Sequence, residues 1–491
     1  MNTLELLKEE LYGKTYTENG DLAYVTTKSK NLDFFGIAGA SRHNPSQVLK
    51  LFKEAINEDF ELAILNLFYL RDVRGGLGER DCFRICFEYL CNEYPSIAKE
   101  LFEFVIEYGR YDDLFVACKT KVESDLIDLI KNQLSKDIQS KKENGTCSLL
   151  AKWMPSINAS NSDTIRKANY FANKLKTSKK EYRQMLSYLR KDMIIENNLR
   201  EKDYTFDYET VPGKALYKYK MAFARNDTKR YYEFINDVND GTIEMKTKTV
   251  YPYEILKEYK WNMTELEIDA MNARWKSLER KASLENTIVV RDGSGSMTCF
   301  NGLPMYIATS MAILCSEQLN DAFKNSFITF SSRPELVQFD ENQSLFDKIN
   351  VCYQYYDCSN TDISKVYDLI YETSKKIKDP KDYIKKIIII SDMEFDYGVD
   401  NVPTYETMER KFKDANLPLP TIIYWNVNAR NVHFASNINH PNIQFVSGAS
   451  ISVIDSIMNG ENVDAVTLMK KTLEKYNKII MKLKGVTHDR N

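Results

Sequence analysis

The 491-residue chain has few of the residues that build zinc centres and disulfide frameworks. Its 4 histidines are scattered and show no spacing typical of a zinc site. Its 9 cysteines are an odd number and include no C-x-x-C pair, which argues against a complete disulfide framework and favours thiols in a reducing environment. Cys82, Cys86 and Cys91 fall on one predicted helix, where packing in a core explains them better than a metal or redox cluster.

Signals for a membrane or a nucleotide triphosphatase are also missing. The first residues lack the basic and apolar stretches of a secretory signal, and we expect no run long and apolar enough to span a bilayer. A glycine-rich turn at residues 71–80 is not followed by a Walker lysine-threonine pair. The net charge of −3 excludes a uniformly basic protein, so any nucleic-acid surface must be local. We therefore expect a cytoplasmic protein that binds no membrane and no DNA.

Length and hydrophobic periodicity predict more than one domain. The chain is long enough, with 43% hydrophobic residues, for two cores. Residues 1–284 contain mainly predicted helices joined by short loops, which suggests stacked helix pairs of the HEAT-repeat type, although no clean repeat period is visible. Residues 285–462 alternate strand-like and helical runs, typical of a doubly wound, Rossmann-like α/β domain. Residues 463–491 contain a final amphipathic helix that we expect to pack back on the first domain.

Six strand-like runs are predicted in the α/β domain. They are residues 287–290, 326–330, 336–339, 384–391, 421–426 and 443–446. In the helical half, residues 137–144 are predicted to form a loop, and the alternating aromatics of residues 200–208 predict a short strand or an extended arm. Ligands of a parallel sheet with this organisation bind beyond the carboxyl ends of its strands.

An aspartate and two hydroxyls follow the first predicted strand. Asp292, Ser294 and Ser296 alternate on a glycine-containing turn, which directs three oxygen donors to one point. Hard cations such as Mg²⁺ or Mn²⁺ prefer oxygen ligands, and Mg²⁺ keeps open positions for water or an acidic group of a partner. A second interpretation is that the two serines cap a helix, while Asp392 is a strand-end aspartate in a turn.

Two further donors stand downstream. Thr361 precedes a predicted helix, and Asp392 ends a continuous β-branched run that is typical of a central parallel strand. Together with the Asp-x-Ser-x-Ser turn, this pattern resembles the metal-ion-dependent adhesion site of the von Willebrand factor A family. Ser359, Asn360 and Met393 stand where that family often has glycines. The resemblance implies a Mg²⁺ (or Mn²⁺) site formed by Asp292, Ser294, Ser296, Thr361 and Asp392.

Four segments of the helical half are more specific than generic helix sequence. Residues 71–80 place three glycines and three arginines between two helices, and residues 108–114 contain a turn with an aspartate pair. Residues 151–156 form an aromatic-basic turn, and residues 179–191 a basic helix. In this order, and followed by the metal-site domain, the segments resemble the TROVE family of Ro ribonucleoproteins, and more closely an uncharacterised TROVE-like family. The resemblance implies a ring or horseshoe of helical repeats closed by a von Willebrand A-like domain, and binding of small structured or aberrant RNA.

The charge pattern gives partial support for RNA binding. Residues 164–230 hold 17 Lys or Arg and 8 Asp or Glu, with interleaved tyrosines. Cations contact phosphates and aromatic faces stack bases, but a solvated basic face with tyrosines in helix packing explains the same pattern equally well. The candidate RNA-binding residues are Lys152, Lys179, Lys180, Arg183, Arg190 and Lys191.

The glycine-arginine turn also has two interpretations. Its backbone amides and cations would form an anion nest. Alternatively, its arginines pair with nearby aspartates as a structural network, which is the interpretation that we favour. The candidate nest residues are Arg74, Gly75, Gly76 and Arg80, and the candidate aspartates are Asp72, Asp81, Asp112 and Asp113.

Three classes of function compete on these features. The first is a non-enzymatic RNA-binding protein or ribonucleoprotein scaffold, with small structured or single-stranded RNA as its partner and a Mg²⁺-dependent site for an acidic ligand. The second is a protein-interaction module whose metal captures a carboxylate of an acidic partner protein. The third, a two-metal hydrolase built on Glu394, Asp396 and Asp400, lacks a nucleophile and base. We therefore expect no enzyme and identify no catalytic residue.

Overall fold

A computed structural model of the protein describes residues 3, 8, 12–191, 193, 195–278, 284–320, 322–330, 333–356, 360–397, 402–459 and 463–488. A mostly helical N-terminal region precedes a C-terminal six-stranded mixed sheet with flanking helices. At this level the predicted fold class is confirmed, and the HEAT type of the helical pairs stays a prediction. Ser359 and Asp400 lie outside the described residues.

Several helices of the N-terminal region begin at capping residues. Asn44 caps the helix Pro45–Glu58, because its side chain accepts from the Gln47 amide and Pro45 stands in the first turn. The helices are α1 (Lys30–Ile37), α2 (Pro45–Glu58), α3 (Phe60–Arg71), α4 (Arg80–Glu93), α5 (Pro95–Glu100), α6 (Phe102–Tyr108), α7 (Glu123–Lys142), α8 (Leu150–Trp153), α9 (Ser162–Lys174), α10 (Lys179–Arg190), α11 (Ile195–Glu201), α12 (Gly213–Asn226), α13 (Thr228–Asn239), α14 (Pro252–Leu256) and α15 (Glu265–Lys276).

One local prediction in this region is wrong, and one of two alternatives in a second is excluded. Residues 137–144 are not a loop, since α7 continues to Lys142. Asp137, the first residue of this polar stretch, is buried and accepts hydrogen bonds from the Ser148 amide and hydroxyl. Residues 200–208 form no strand, because α11 covers the first two of them and the aromatics of the segment pack into a small core with α12 and α13. The other alternative, an extended arm, is not contradicted.

The strands of the C-terminal sheet are β3 (Thr287–Asp292), β4 (Ser326–Phe330), β5 (Leu336–Gln338), β6 (Lys386–Ser391), β7 (Thr421–Asn426) and β8 (Ile443–Ser447), numbered after the two strands of an N-terminal hairpin. Their order across the sheet is β5-β4-β3-β6-β7-β8. All pairs are parallel except that of β4 with the edge strand β5. Counted within the sheet, this order is 3-2-1-4-5-6, the order of doubly wound folds. Each strand lies within two residues of its predicted bounds at either end.

Helices cover the sheet and connect it to the N-terminal region. They are α16 (Cys299–Glu317), α17 (Leu345–Tyr353), α18 (Ile363–Ser374), α19 (Thr404–Asp414), α20 (Ser452–Asn459), α21 (Ala465–Leu473) and α22 (Asn477–His488). The first N-terminal helix, α1, packs on β7 and β8, and the C-terminal helices α21 and α22 pack back on α3. Because these contacts cross the predicted boundaries at residues 284/285 and 462/463, the division into domains stays a prediction.

One described helix, Gly295–Glu317, is long and apolar enough to cross a membrane by length and composition alone. The expectation that the chain holds no such run is therefore wrong. Of its most apolar window, 61% is buried inside the protein, and α16 packs against β3, β4 and β6. Burial in the core of the C-terminal sheet explains its composition.

A two-stranded antiparallel hairpin precedes α1 and was not predicted. It consists of β1 (Lys14–Tyr16) and β2 (Leu22–Tyr24). The hairpin lies against the C-terminal sheet domain: the Tyr24 and Phe434 backbones form a bridge, and the Thr17 hydroxyl donates to the Phe395 carbonyl at 2.6 Å. The turn between its strands, residues 17–20, is called the N-terminal turn below.

Candidate functional site

The candidate metal residues lie where the connections of the sheet diverge. β3 and β6 are neighbouring parallel strands; β4 lies on the far side of β3, and β7 on the far side of β6. Asp292 ends β3 and Asp392 directly follows β6, so both side chains reach the carboxyl edge at the topological switch point. This edge is the position at which open α/β sheets bind ligands.

Four of the five predicted ligands come together there. The Asp292 carboxylate accepts from the Ser294 amide at 2.8 Å and from the Ser391 hydroxyl at 2.5 Å. The hydroxyls of Ser294 and Ser296 are 2.9 Å apart, and the Ser296 side chain forms a hydrogen bond with Asp392. Within the described ranges no three His, Cys, Asp or Glu side chains form a metal cluster, so a cation here would depend on hydroxyl as well as carboxylate oxygens.

The two aspartates form a buried acidic pair. Asp292 is fully buried and Asp392 is 1% exposed. Burial raises the pKa of Asp292, and burial together with the charge of Asp292 raises the pKa of Asp392 to about 7. Two carboxylates in a low-dielectric site repel each other unless one is protonated or a cation lies between them. This donor set fits Mg²⁺ or Mn²⁺, which Asp292, Ser294, Ser296 and Asp392 would hold.

The fifth predicted ligand is engaged elsewhere. The Thr361 hydroxyl donates to Asp396 at 2.8 Å and accepts from the Asn19 side chain at 2.6 Å. A hydroxyl donates one hydrogen bond and accepts two, so its oxygen keeps one lone pair beside these contacts. The role of Thr361 as a ligand stays a prediction.

Arg430 is a functional candidate that the sequence did not indicate. Its guanidinium donates to Asp392 at 3.0 Å and to Glu18 of the N-terminal turn at 2.6 Å. Arg430 follows β7 by four residues, so the predicted strand already placed its loop at the correct edge. The guanidinium supplies the positive charge next to Asp392 that a metal ion would otherwise supply.

The N-terminal turn closes this edge of the sheet. The Glu18 amide donates to the Glu394 carboxylate at 2.7 Å, and Asn19 donates to the Glu394 carbonyl at 2.7 Å. Glu394 also faces His433 at 3.2 Å and accepts from Asn431 at 3.0 Å. Glu394 therefore links the N-terminal turn to His433 and Asn431 at this edge of the sheet. No sequence signal linked residues 17–20 to a site so far along the chain.

Met393 adopts the backbone conformation that glycine usually supplies. Its φ is 67°, in the left-handed region that disfavours side chains. This is the position at which the sequence departs from the glycine of the von Willebrand A-like pattern. The side chain is 5% exposed and packs in the core, which compensates for the backbone strain.

Replacement of Arg430 should strengthen metal binding. We expect Arg430→Gln to raise the affinity for Mn²⁺ about tenfold, because a positive charge in direct contact with Asp392 would otherwise have to be displaced, and charge-assisted contacts are worth about 1.5–3 kcal/mol. Titration calorimetry at constant pH measures the change. Lys411→Gln, which removes an exposed ion pair with Asp368, is the matched control. Unchanged or weaker binding in Arg430→Gln would show that the guanidinium does not compete with the cation.

The acidic pair predicts a pH dependence for the metal-free protein. The pKa of Asp392 rises from 3.8 to about 7 on folding, so the folded state binds the proton more tightly than the unfolded state. Its contribution to the free energy of unfolding is complete below pH 3.8 and is lost as pH rises through 7. Urea titrations of the protein in chelator should show this loss, and Asp392→Asn should reduce it. Equal pH profiles for the two proteins would contradict the assignment.

A second candidate site is a cleft in the helical region, here called the basic cleft. Its volume is about 720 Å³. Three of the four specific sequence segments meet on its walls: Arg71 and Arg80 from the glycine-arginine turn, Arg110 from the aspartate-pair turn, and Lys152 and Trp153 from the aromatic-basic turn. The remaining cations and aromatics on its walls are Arg42, His43, Lys214, Tyr251 and Tyr253.

Ion pairs hold several cations of the basic cleft in place. Arg42 pairs with Glu79, and Arg71 pairs with Asp113 at 2.6 Å. The Arg110 guanidinium lies 4.0 Å from the centre of the Trp153 ring. Two buried donors, the Arg42 Nε and one Arg71 Nη, have no hydrogen-bond partner among the described residues. The Arg42 guanidinium also lies 5.7 Å from the centre of the Tyr253 ring. Cations next to aromatic rings are suited to a ligand that bears phosphates and bases.

The fourth segment braces the cleft and also presents exposed cations. The Arg190 guanidinium donates to the Ala151 carbonyl at 2.8 Å and to the Ser156 hydroxyl, which fixes the aromatic-basic turn. The Lys191 carbonyl accepts from the Lys141 ammonium at 2.8 Å. The exposed cations at the start of α10 are Lys179, Lys180 and Arg183. The structure thus places Lys152 on the cleft wall and Arg190, the last residue of α10, against the aromatic-basic turn, while the three exposed cations lie at the start of the same helix.

The residues of the candidate anion nest form hydrogen bonds and ion pairs within the protein, as the structural interpretation of the glycine-arginine turn predicts. The Arg74 amide donates to Asp72 at 2.9 Å, and the Arg74 guanidinium donates to the Glu107 carbonyl. Arg80 pairs with Asp81 at 3.2 Å. Gly76 approaches backbone so closely that an added Cβ would lie 2.1 Å from the Tyr69 carbonyl oxygen. The glycine therefore serves a tight turn, and the Asp72 carboxylate lies where an external anion would bind.

Some tyrosines of residues 164–230 pack within the fold, and at least one is exposed and free to stack on a base. Tyr182 and Tyr208 are buried, and the Tyr182 hydroxyl donates to the Pro155 carbonyl at 2.9 Å. Tyr170 and Tyr219 donate to Glu123 and Glu196. These four side chains serve packing or hydrogen bonding within the fold. Tyr188, by contrast, is 44% exposed on α10.

Comparison with known proteins matches the chain to two family models. "Domain of unknown function (DUF2828)" matches residues 17–108 and 160–286, and "Domain of unknown function (DUF7788)" matches residues 286–487. The chain is also similar to the uncharacterized protein L728 of Acanthamoeba polyphaga mimivirus. The two are 26% identical over 513 aligned positions, which cover 94% of this chain and 87% of the viral protein.

Among solved structures, the chain is similar to the RO (RSR) protein of Deinococcus radiodurans. The identity is 13% and the TM-score 0.40, over 92% of this chain and 100% of that chain. A TM-score of this size is too low to support an argument about function. Neither family description names an activity. A functional proposal therefore depends on the chemistry of two places. They are the basic cleft and the carboxyl edge of the sheet with Asp292, Ser294, Ser296 and Asp392, here called the metal edge.

Proposed function

We propose that the protein is a non-enzymatic RNA-binding protein, a ribonucleoprotein scaffold whose basic cleft holds an unpaired segment of RNA. One observation carries the proposal: the cleft combines three large aromatic rings with six Lys or Arg side chains, which exceed the four Asp or Glu side chains on its walls by two. Cations that follow a phosphate backbone, together with rings that stack bases, are the features with which proteins bind single-stranded nucleic acid. Unpaired loops and ends of a small structured RNA would present such a segment.

The cleft is better suited to a single strand than to a duplex. Its volume of about 720 Å³ is in the size range of pockets that enclose small ligands, and much smaller than a surface that follows a double helix. Trp153, held under Arg110 at 4.0 Å, offers an aromatic face whose position is fixed before the ligand arrives. Preorganisation of this kind lowers the entropic cost of binding.

The metal edge would contribute a second, acidic-ligand contact. A Mg²⁺ ion held by Asp292, Ser294, Ser296 and Asp392 would supply a positive centre with open coordination positions for one acidic oxygen. Before such a ligand binds, the ion pair of 3.0 Å between Arg430 and Asp392 has to break. A carboxylate of a protein and a phosphate of an RNA could each bind to this ion. Identifying the acidic ligand would therefore distinguish an RNA scaffold from a protein-interaction module.

Binding of purified full-length protein to a labelled single-stranded RNA at physiological salt tests the proposal. We expect binding that survives an excess of heparin, weakens with rising salt, and is weaker for a duplex of the same length. Complete displacement by heparin would contradict it. Capture of protein partners that is abolished by Asp292→Ala but indifferent to ribonuclease would favour the protein-interaction module instead.

A further inference from the structure

An exposed aromatic stack lies between the basic cleft and the metal edge. The rings of Phe300 and His43 are parallel within 8°, with their centres 3.8 Å apart. His43 lines the basic cleft, while Phe300 follows the metal-binding turn and is 46% exposed. One side of the stack therefore belongs to the helical region and the other to the C-terminal domain.

Phe300 is close to the candidate metal ligands along the chain. Three residues separate it from Ser296, so the two Cα atoms are at most about 14 Å apart. The intervening Cys299 accepts from Asn428 at 3.3 Å, and the charges of Arg430 and Asp392 both act on its thiol. The ring is thus attached to the same rim that carries the acidic pair.

The backbone that presents Phe300 is in a conformation that side chains disfavour. Phe300, Asn301 and Gly302 have φ angles of 51°, 58° and 73°, three left-handed residues in succession. Only glycine adopts this region without a steric penalty. Residues held in such conformations by their surroundings are concentrated at ligand sites, and here the result is an aromatic ring that faces solvent.

A strip of alternating rings and cations runs beside the stack. The Lys257 ammonium lies 5.3 Å from the ring centre of Tyr253 on the cleft wall and 5.6 Å from that of Tyr306 on α16. Arg42, next to His43, has a buried Nε without a partner among the described residues. Aromatic faces and cations therefore continue from the cleft toward the metal edge, which is the pattern that a single strand follows.

We propose that the Phe300–His43 stack is a nucleobase platform that guides an RNA strand from the basic cleft to the metal edge, where the ion takes a phosphate oxygen of that strand. This inference rests on the proposed RNA-binding function and names the acidic ligand of the metal site. The exposed face of Phe300 stacks on a base, His43 supports the ring from behind, and the adjoining phosphate reaches the ion. Phosphate and carboxylate oxygens are both hard ligands that Mg²⁺ accepts.

Stacking is tested with 2-aminopurine, whose fluorescence is quenched by stacking, placed at successive positions of a single-stranded RNA bound to full-length protein in Mg²⁺. We expect strong quenching at one position. Phe300→Leu should remove it and weaken binding about tenfold, since one base–aromatic contact is worth about 5-fold to 150-fold in affinity. Phe300→Trp should restore both. Tyr188→Leu, a change of similar exposure on α10, should alter neither.

The metal contact is tested by sulfur substitution. A phosphorothioate next to the quenched position should weaken binding in Mg²⁺, and Cd²⁺ should restore it, because a soft ligand suits a softer cation. Absence of a sulfur effect at every position would overturn the phosphate contact, and wild-type fluorescence and affinity in Phe300→Leu would overturn the platform. Both results leave RNA binding itself intact. Failure of the proposed function differs from them, because wild-type protein would then bind no RNA that heparin does not displace.

Discussion

Reversal of three charges in the basic cleft is expected to lower the affinity for single-stranded RNA on the order of 100-fold at physiological salt. The variant is Arg80→Glu, Lys152→Glu and Lys214→Glu. These side chains line the cleft, and those of Arg80 and Lys214 are 48% and 52% exposed, so the new carboxylates stay hydrated and the fold is retained. Each change replaces an attraction to a phosphate with a repulsion.

The salt dependence of binding gives this prediction a second readout. Each lost phosphate contact reduces the slope of log affinity against log salt by about 0.7 for a single strand, so three contacts should reduce it by about 2. The matched control reverses the same number of charges at Lys179, Lys180 and Arg183, which are exposed on α10. A large loss in this control, with wild-type binding in the cleft variant, would move the RNA surface to α10.

Removal of either buried aspartate is expected to abolish tight metal binding. Asp292→Ala and Asp392→Ala should each lower the affinity for Mn²⁺ by more than about 100-fold, because even the loss of an outer-sphere partner costs about 10–100-fold. The helical region should remain folded, since α2 to α6 pack mainly on one another. Titration calorimetry and circular dichroism measure the two properties.

The control for the metal prediction is an aspartate outside the site. Asp368→Ala removes a carboxylate that is 43% exposed and paired with Lys411, and it should leave Mn²⁺ binding unchanged. Metal affinity equal to that of the wild-type protein in both Asp292→Ala and Asp392→Ala would refute the ligand assignment. The two variants also report on RNA binding, which should persist in the cleft but lose its dependence on Mg²⁺.

The strands of the sheet and the two aspartates were predictable because their signals are local. Continuous β-branched runs such as that of β6 are typical of a strand buried on both faces, and all six of its residues are buried. Once β3 and β6 are recognised as parallel strands, Asp292 and Asp392 must lie at one edge. The meeting of these two side chains therefore follows from strand assignment and the rule for doubly wound sheets.

The partners of these aspartates were not predictable, because they depend on contacts between distant parts of the chain. Glu18 and Arg430 are more than 400 residues apart in sequence, yet they form an ion pair of 2.6 Å. Asn19 reaches Thr361 in the same way, and no local pattern indicates that a hairpin before α1 packs on the C-terminal sheet. The expected fifth ligand, Thr361, was therefore assigned without knowledge of its hydrogen bonds to Asn19 and Asp396.

The helical region shows the same limit of local reasoning. The segments that contain Arg71, Arg110 and Trp153 were recognised as unusual one by one, but their meeting in one cleft depends on how α3, α6 and α8 pack. The charge excess of residues 164–230 drew attention to α10 instead. The sequence indicated Arg190 as an RNA contact, but its guanidinium donates to the turn that carries Trp153. These hydrogen bonds, which no local pattern indicates, fix the position of Arg190.

Photocrosslinking tests the central claim most directly. A single-stranded RNA containing 4-thiouridine is irradiated on the full-length protein at physiological salt, and the crosslinked peptides are identified by mass spectrometry. We predict crosslinks at Trp153 and at the segment of Tyr251 and Tyr253, all on the walls of the basic cleft. Crosslinks confined to α10, or to any surface outside the cleft, would contradict the account.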